Sequence, residues 1–432
     1  MNTVAFCTLG CKVNQYESEA MAKLFSKEGY EVKDFDEKCD VYVINTCTVT
    51  GTGDRKSRQM IHRAKKTNPD AVIAVVGCYS QVAPDEVKKI DGVNIVLGTS
   101  SKTEIVELVK KAMEEKRQTV SVSDIMKQRS YEDMWVSSYS SKTRAFVKIE
   151  DGCTEFCTYC IIPYARGPVR SRSLESIEKE VRALSDNGFK EIVLTGIHIA
   201  SYGRDTKEHT LLDVIKLING IDGIERIRLG SVEPRILTED FIAEMSKMKK
   251  VCNHFHISLQ SGCDETLKRM NRKYSTDEYF ESVCLLRKYF ENPAIATDVM
   301  VGFPGETDEE FESSLDFVKK VNFADAHVFA YSNRKGTKAD VMENQVDKQV
   351  KEKRSKIMTA CVNKLKNDYR SGYLNTVCEV LAEREIAPGV YEGHMANYVK
   401  VHVKSDKDIA KQLVNVKITG SERDSLSAEL EE

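Results

Sequence analysis

Three cysteines, Cys153, Cys157 and Cys160, fall within eight residues in the stretch Gly152-Cys153-Thr154-Glu155-Phe156-Cys157-Thr158-Tyr159-Cys160. The spacing C-x3-C-x2-C fits a single loop, and one loop can fold three thiolates around one cubane. A four-iron, four-sulfur cluster ordinarily takes four cysteine ligands. Three leave one iron open to a substrate. The alternatives are a structural zinc site and unrelated core cysteines. Structural zinc needs four closed ligands, usually supplied as two pairs. No second C-x2-C pair occurs in the chain, and no cysteine or histidine follows until His198.

A second set is dispersed. Cys11 stands in LGCKVNQYES, Cys47 in INTCTVTG and Cys78 in VVGCYSQ. Each lies just past a β-type run: Thr3–Cys7, Val41–Ile44 and Ala71–Val76. With Tyr30–Phe35 and Asn94–Leu97 as further strands, and helical patterns over Glu17–Glu28, Asp54–Lys66, Pro84–Lys89 and Thr103–Glu115, residues 1–135 predict a doubly wound parallel sheet. The carboxyl ends of parallel strands share one edge, where ligands bind. Three thiolates distant in sequence therefore converge, again as a trio suited to a cluster with one iron open. Cys7, inside a strand, and Cys39, in a turn, are expected to be structural.

The loop Cys153–Cys160 follows a strand over Arg144–Ile149. Five more strand patterns follow: Glu191–Thr195, Arg226–Gly230, His254–Ser258, Ala294–Val301 and Ala326–Ala330. Helical patterns separate them at Leu174–Asn187, Leu211–Asn219, Thr238–Met248, Thr276–Phe290 and Asp308–Val321. Residues 136–369 thus predict a partial (β/α)6 barrel whose site gathers at the carboxyl strand ends. Those ends read TGIHIASYG, GSVEP, SLQSG and VGFPGET, polar or glycine-rich. They bring Thr195, Gly196, Ser231, Glu233 and Gln260 to the same rim. Glu306 is expected to cap the helix near Asp308. His198, His254 and His256 are more simply core or hydrogen-bonded residues than ligands. Ser121–Ser141, with the single tryptophan Trp135, reads as a linker.

Residues 370–432 carry short β-type segments, Thr376–Ala382, Val390–Glu392, Tyr398–Val403 and Leu413–Gly420, joined by Gly, Pro and Asp turns, which predict a small β-barrel. The acidic last thirteen residues are expected to fray.

At this point a family resemblance is visible. Residues 152–160, with Tyr159 before the third cysteine, resemble the cluster loop of radical S-adenosylmethionine (SAM) enzymes. The run from Asp151 through IIPYARGPVRSRS is similar to that of the methylthiotransferases, which insert sulfur and then add a methyl group. LGCKVNQ, NTCTVT and GCYSQ resemble the segments with which that family holds an auxiliary cluster, implying two 4Fe-4S clusters, on Cys11, Cys47 and Cys78 and on Cys153, Cys157 and Cys160. The resemblance implies SAM contacts for Tyr159, Thr195, Gly196, Ser231, Glu233 and Gln260. EGHMANYVKVHV (392–403) resembles part of a TRAM domain, a small RNA-binding barrel, with Tyr398, Lys400, His402 and Lys404 as a stacking and phosphate face. Met395 departs from the small polar residue usual there.

The implied reaction begins with one-electron cleavage of SAM to methionine and a 5′-deoxyadenosyl radical, which takes hydrogen from an aromatic C–H. Sulfur then arrives from the second cluster, methylated by a second SAM. The implied substrate is tRNA at its anticodon stem-loop. The closest branch methylthiolates C2 of N6-threonylcarbamoyladenosine at position 37. Related branches act on N6-isopentenyladenosine or on an aspartate of a ribosomal protein. A flavodoxin or ferredoxin is the expected class of electron donor, and the sulfur source is unassigned. The competing reading of another class is a non-catalytic iron–sulfur RNA-binding or electron-transfer protein.

Composition agrees with an enzyme of this kind. The chain has 432 residues, is 41% hydrophobic and 30% charged, and has no apolar run of membrane-spanning length. The opening MNTVAFCTLG lacks a secretory pattern, so a cytoplasmic protein is expected. There, thirteen cysteines point to metal rather than disulfides. The net charge of −3 hides basic stretches. Residues 54–66 hold six basic residues and one acidic, with Arg55, Lys56 and Arg58 as phosphate contacts or merely a solvated helix face. Residues 331–375 hold eleven Lys or Arg against five Asp or Glu, and Lys351, Lys353, Arg354 and Lys356 of the helical run 346–369 are expected to face RNA.

Overall fold

The structure is a computed structural model that describes residues 2–136 and 143–431. The amino-terminal unit is a six-stranded, all-parallel sheet with β1 (Thr3–Thr8), β2 (Glu31–Lys33), β3 (Val41–Thr46), β4 (Val72–Gly77), β5 (Val93–Leu97) and β6 (Thr119–Ser121), in the order β2-β1-β3-β4-β5-β6. β3 and β4 are buried along their whole length, as central strands covered on both faces must be. Helix α1 (Lys12–Lys27) and helix Ile105–Glu115 cover one face with Met21, Phe25, Ile105 and Val109. Helix α2 (Gly51–Thr67) and helix α3 (Cys78–Val82) cover the other with Ile61, Ala64 and Tyr79.

The sequence suggested five strands here. β6 was hidden because three residues carry too little periodicity to stand out. The expected linker is also corrected. Residues 122–136 lie along the domain boundary, with Ile125, Met134 and Val136 buried, and Tyr131 Oη donating to the Lys148 carbonyl at 2.9 Å. Residues 137–141 of that linker are outside the described residues.

The central unit begins with β7 (Arg144–Lys148). A short antiparallel pair, β8 (Glu150–Asp151) and β9 (Arg170–Ser171), brackets the Cys153–Cys160 loop. β10 (Glu191–Thr195), β11 (Arg226–Leu229), β12 (His254–His256), β13 (Ala294–Val301) and β14 (Asp325–Ala330) follow in sequential parallel order, in two sheets joined by bridges Ile227–Val251 and Val232–Ile257. The result is an open arc of six strands with its helices outside. Ala145, Val147, Ile192, Ile227, Phe255 and Val299 point to those helices and form the largest core. The long helix Lys348–Ser371 packs back on this core through Met358 and Val362.

A closed five-stranded barrel follows: β15 (Val377–Ala387), β16 (Val390–Met395), β17 (Lys400–Lys404), β18 (Leu413–Ser421) and β19 (Leu426–Leu430). The acidic tail does not fray as expected. Leu426 and Ala428 alternate into the small barrel's core, and β19 closes it by pairing with β17 and β18. Met395 also lies in that core.

This barrel seats on the floor of the arc, at the amino ends of its strands. Arg226 Nη2 reaches Glu379 at 2.7 Å, Arg228 Nη1 donates to the Ala396 carbonyl at 2.8 Å, and Arg144 pairs with Glu383 at 3.2 Å. No helix of the described residues is long and apolar enough to cross a membrane.

Candidate functional site

Cys11 is the residue before α1, Cys47 the residue after β3, and Cys78 the first residue of α3, immediately beyond β4. All three thus stand at one sheet edge. Gly10, at φ +101°, lets the Cys11 turn close on Cys47. A Cβ there would lie 2.7 Å from Cys47 Cβ and 2.9 Å from its Sγ. The three thiols lie within electrostatic reach of one another.

The second trio occupies the loop between β8 and β9, at the carboxyl ends of the arc. Gly152, at φ +90°, opens the loop where a Cβ would meet the Pro168 carbonyl oxygen at 2.0 Å. Cys153 N–H donates to the Gly167 carbonyl and Cys160 N–H to the Cys157 carbonyl, each at 2.9 Å. Thr158 pins the loop to the Arg269 and Met270 carbonyls, both at 3.0 Å. The Tyr159 ring packs edge-on against Phe303.

All six cysteines are free thiols. Burial pushes the Cys78 thiol up to about 11 and the Cys160 thiol up to about 12, so these sulfurs carry charge only if a metal takes it. The spacing distinguishes one ion from a cluster. Sulfurs on a single zinc, at about 2.3 Å from the metal, lie under about 4 Å apart. Among the described residues, neither trio gathers its ligand atoms within 4.8 Å of one another. Three cysteine sulfurs per site, with no compact four-ligand set around either among the described residues, are a donor set that suits a cubane better than a closed single-ion site.

The rim residues expected to meet SAM are at the strand ends beside this loop. Thr195 ends β10 and is buried. Gly196 abuts the Glu150 carboxylate. Ser231 and Ser258 hydroxyls pair at 2.8 Å. Gln260 holds a left-handed φ of +70° and bridges to Val299. Glu233 is buried and receives Arg235 Nη2 at 2.7 Å, while His198 Nε2 stands 3.8 Å away. Glu155, His198 and Glu233 form a compact set near the loop, but Arg204 and Arg235 already neutralise its carboxylates.

Several functional side chains had no sequence signal beyond their motif. Glu150 is fully buried, and burial pushes its carboxyl up to about 8. Its Oε2 accepts the His198 N–H at 2.8 Å, and its Oε1 has no partner among the described residues. Arg166, in the PYARG segment, joins the two trios. Its Nε donates to Cys78 Sγ at 3.3 Å and its Nη2 to Asn14 Oδ1 at 2.6 Å, and its Nη1 reaches Asp151 at 3.2 Å. Arg272 Nη1 donates to Cys157 Sγ at 3.3 Å. Arg334 ties the Cys47 loop to the central unit through Asp54, at 2.8 Å, and Thr48.

The expected RNA contacts divide. Arg55 and Lys56 are exposed on α2. Arg58 instead donates to Tyr79 Oη at 2.9 Å. Lys353 and Lys356 are exposed, and Lys351 stands over the Tyr331 ring. Arg354 is not exposed as expected. It is buried against Glu306 at 2.7 Å and Asp308 at 2.7 Å. Glu306 is therefore an ion-pair partner, and Thr307 is the residue that caps the helix Asp308–Val321. Lys400 pairs with Glu392 at 3.0 Å, and His402 lies beside Glu422. Lys404 is exposed. Tyr398 lies at the joint between the small barrel and the arc rather than in a strand of the barrel. It stacks on His394 and lies tilted against His254, with the Arg144 and Arg228 guanidiniums at 4.9 and 4.6 Å, and stays 38% exposed. A cavity of about 200 Å³ lies at that joint, lined by His254, His394 and Tyr398 at the amino ends of the strands.

An open (β/α)6 arc with a three-cysteine loop at its carboxyl rim defines the class: a radical SAM protein. The Radical SAM superfamily matches residues 147–318, and the Uncharacterized protein family UPF0004 matches residues 3–98. The chain is 45% identical to the threonylcarbamoyladenosine tRNA methylthiotransferase MtaB of Bacillus subtilis, over 97% of this chain and 94% of that one. It is 37% identical to MtaB of Thermotoga maritima, over 93% and 91%. It is 36% identical to the tRNA-2-methylthio-N(6)-dimethylallyladenosine synthase of Clostridium botulinum, over 98% and 95%. The fold is shared with the radical SAM methyltransferase TsrM of Kitasatospora setae, with a TM-score of 0.57 at 15% identity, covering 79% of this chain and 77% of that one. The chain belongs to the radical SAM methylthiotransferase family. Membership carries a 4Fe-4S cluster with SAM and a second cluster, and the near-full-length similarity to tRNA methylthiotransferases makes it a tRNA-modifying enzyme.

Proposed function

We propose that this enzyme methylthiolates C2 of N6-threonylcarbamoyladenosine at position 37 of tRNA, in the cytoplasm. One observation carries the reading: Arg166 touches a cysteine of one trio and the strand end that opens the loop of the other. Two metal sites held by one buried side chain suit a reaction whose sulfur delivery and radical generation must meet at one atom. The choice of base follows the full-length similarity to the Bacillus subtilis enzyme.

In this reading Cys153, Cys157 and Cys160 hold one 4Fe-4S cluster, and Cys11, Cys47 and Cys78 hold the other. When bound, the first supplies the electron that cleaves SAM and the second supplies the position from which sulfur is delivered. The protein contributes placement. Glu233, fixed by Arg235, accepts from a polar group of SAM, with Thr195, Gly196, Ser231 and Gln260 along the same rim and Tyr159 bracing the loop. Arg334 and Arg166 hold the two units together, which excludes water from the cleft between them. Arg55, Lys56, Lys351 and Lys400 offer charge to tRNA phosphates. Residues 1–135, 136–369 and 370–432 divide the work as sulfur-delivering, radical-generating and RNA-binding units. The electron comes from a flavodoxin- or ferredoxin-like donor.

The deciding experiment incubates the reconstituted enzyme, SAM, sulfide and reductant with anticodon stem-loop RNA carrying either N6-threonylcarbamoyladenosine or N6-isopentenyladenosine. Mass spectrometry of the nucleosides should find the methylthio product only from the first. Product only from the second would overturn the choice of base. Release of no 5′-deoxyadenosine with either would overturn the catalytic reading.

A further inference from the structure

The inner face of the arc, turned away from the helices, carries an unusual pair of walls. On β12 to β14 it presents His256, Asp298, His327 and Phe329. Asp298 is in register with His327, and Met300 with Phe329, so these side chains share one face. His256 and His327 stack at 6.1 Å, His327 and Phe329 rings lie 6.5 Å apart, and His256 Nε2 stands 3.3 Å from Asp298. The alternate residues Phe255, Ile295, Val299 and Val328 pack on the helices instead. Phe329 nevertheless stays 47% exposed, and His327 is exposed too. An accessible imidazole and phenyl ladder is a surface on which a base can stack.

On the other side stands Lys12, the residue after Cys11. Its Nζ lies 6.0 Å above the Phe146 ring of β7. The charged and phenolic groups near it are Arg144, Arg228, Glu191 and Tyr398, and His254 lies within its electrostatic reach. Its cationic neighbours are all engaged: Arg228 with Glu191 at 2.7 Å, Arg144 with Glu383 at 3.2 Å. Across the cleft, Lys148 and Arg166 are committed to Glu17 and Asp151. Lys12 alone in this group has neither an ion pair nor a hydrogen bond among the described residues, and it remains exposed. It is a free cation beside the candidate sulfur-delivering site, inside the arc.

We propose that Lys12 receives the carboxylate of the threonylcarbamoyl group while the His256, His327 and Phe329 face supports the adenine. This rests on the reading of the substrate given above and adds the group that recognises it. The two candidate bases differ at this point. The threonylcarbamoyl substituent ends in a carboxylate, whereas an isopentenyl substituent is an uncharged hydrocarbon. A lysine with no partner in a cleft favours the first by a charge-assisted contact and disfavours the second, which would desolvate the ammonium without replacing its hydrogen bonds.

The test measures binding of the reconstituted holoenzyme to three anticodon stem-loop RNAs, carrying N6-threonylcarbamoyladenosine, its neutral carboxamide analogue, or N6-isopentenyladenosine. The wild type should bind the carboxylate RNA about tenfold or more tightly than the carboxamide. Lys12→Met should bring that ratio to within about twofold by weakening the carboxylate RNA alone, and Lys12→Arg should keep it. Equal wild-type binding of carboxylate and carboxamide overturns the assignment without any variant, as does a full preference in Lys12→Met. Conversion of the isopentenyl RNA alone by the wild type overturns the substrate reading itself, and the role of Lys12 with it.

Discussion

Arg166 Nε donates to Cys78 Sγ across 3.3 Å, and the two residues belong to different units of the chain. The same guanidinium is buried with Asn14, Glu17 and Asp151. A hydrogen bond to a ligand sulfur withdraws negative charge from it and raises the potential of whatever metal the sulfur holds. Arg272 makes the matching contact to Cys157 at 3.3 Å. Each trio thus has one cysteine sulfur that accepts from an arginine, fully buried at Arg166 and half-buried at Arg272.

Replacing Arg166 by Lys should keep a cation in the network and lose the Nε–H donor. The midpoint potential of the Cys11, Cys47, Cys78 site should fall, with the other site unchanged. Redox titration followed by electron paramagnetic resonance checks this. An unchanged potential would mean that the arginine only holds the domains together. Arg166→Gln is harsher. Burial alone would raise the Glu17 pKa, but Arg166, Lys102 and Lys148 hold it well below the usual carboxylate range. A depressed folded pKa stabilises the protein above the unfolded value and is lost only in acid, so its full contribution is at stake at neutral pH. Breaking such a buried network typically costs about 3–5 kcal/mol, which chemical denaturation of the apoprotein would register.

The two trios should be separable. Cys157→Ala should abolish release of 5′-deoxyadenosine and reduce iron from about eight to about four per chain. Cys47→Ala should lose iron similarly yet still cleave SAM, without methylthio product. Iron analysis together with deoxyadenosine assays decides the matter. Normal SAM cleavage by Cys157→Ala would remove the loop from its assigned role.

Both cysteine trios were legible because chemistry and topology agreed. One trio is local, and the other falls just past three strands whose apolar runs are unmistakable, β1, β3 and β4. The (β/α)6 arc was legible for the same reason. Arg166 was not, since its partners Cys78, Glu17 and Asn14 lie 88, 149 and 152 residues away in sequence. β19 was masked by the acidic residues that flank it, together with Glu429 on its outer face, although Leu426 and Ala428 alternate inward. Tyr398 reads as a stacking residue in any alternating strand. Only the docked position of the small barrel shows that its ring is partly covered by His394 and the Arg228 guanidinium.

Arg354 offers a test of that distinction between pattern and packing. Its charge lies in a basic helix, but its guanidinium is spent on Glu306 and Asp308. Glu306 is itself buried and accepts the Gly302 N–H at 2.8 Å. Arg354→Ala should therefore lower stability by about 3–5 kcal/mol, by leaving Glu306 without its cation. Arg354→Met with Glu306→Gln should recover much of the loss. The tRNA affinity of the folded fraction should not change. A weaker affinity with normal stability would return Arg354 to the RNA surface.

Arg55 and Lys56 give the contrasting case. Both are exposed on the first turns of α2, which Thr50 caps by accepting the Gly53 N–H, and which begins four residues after Cys47. Neither makes an ion pair among the described residues, so substitution should leave the fold intact. Arg226 and Arg228 make the opposite point: deleting the small barrel would strip their partners from the floor of the arc and confound any binding measurement. Point substitution of Arg55 and Lys56 to Gln is the cleaner probe of the RNA surface. Each lysine or arginine that neutralises a phosphate releases counterions, so losing one reduces the slope of log affinity against log salt by about one. The double variant should bind tRNA more weakly at low salt, with a slope shallower by about two, while its iron content and tRNA-free SAM cleavage match the wild type. An unchanged slope would show that this face of α2 is simply solvated and that the tRNA phosphates are met elsewhere.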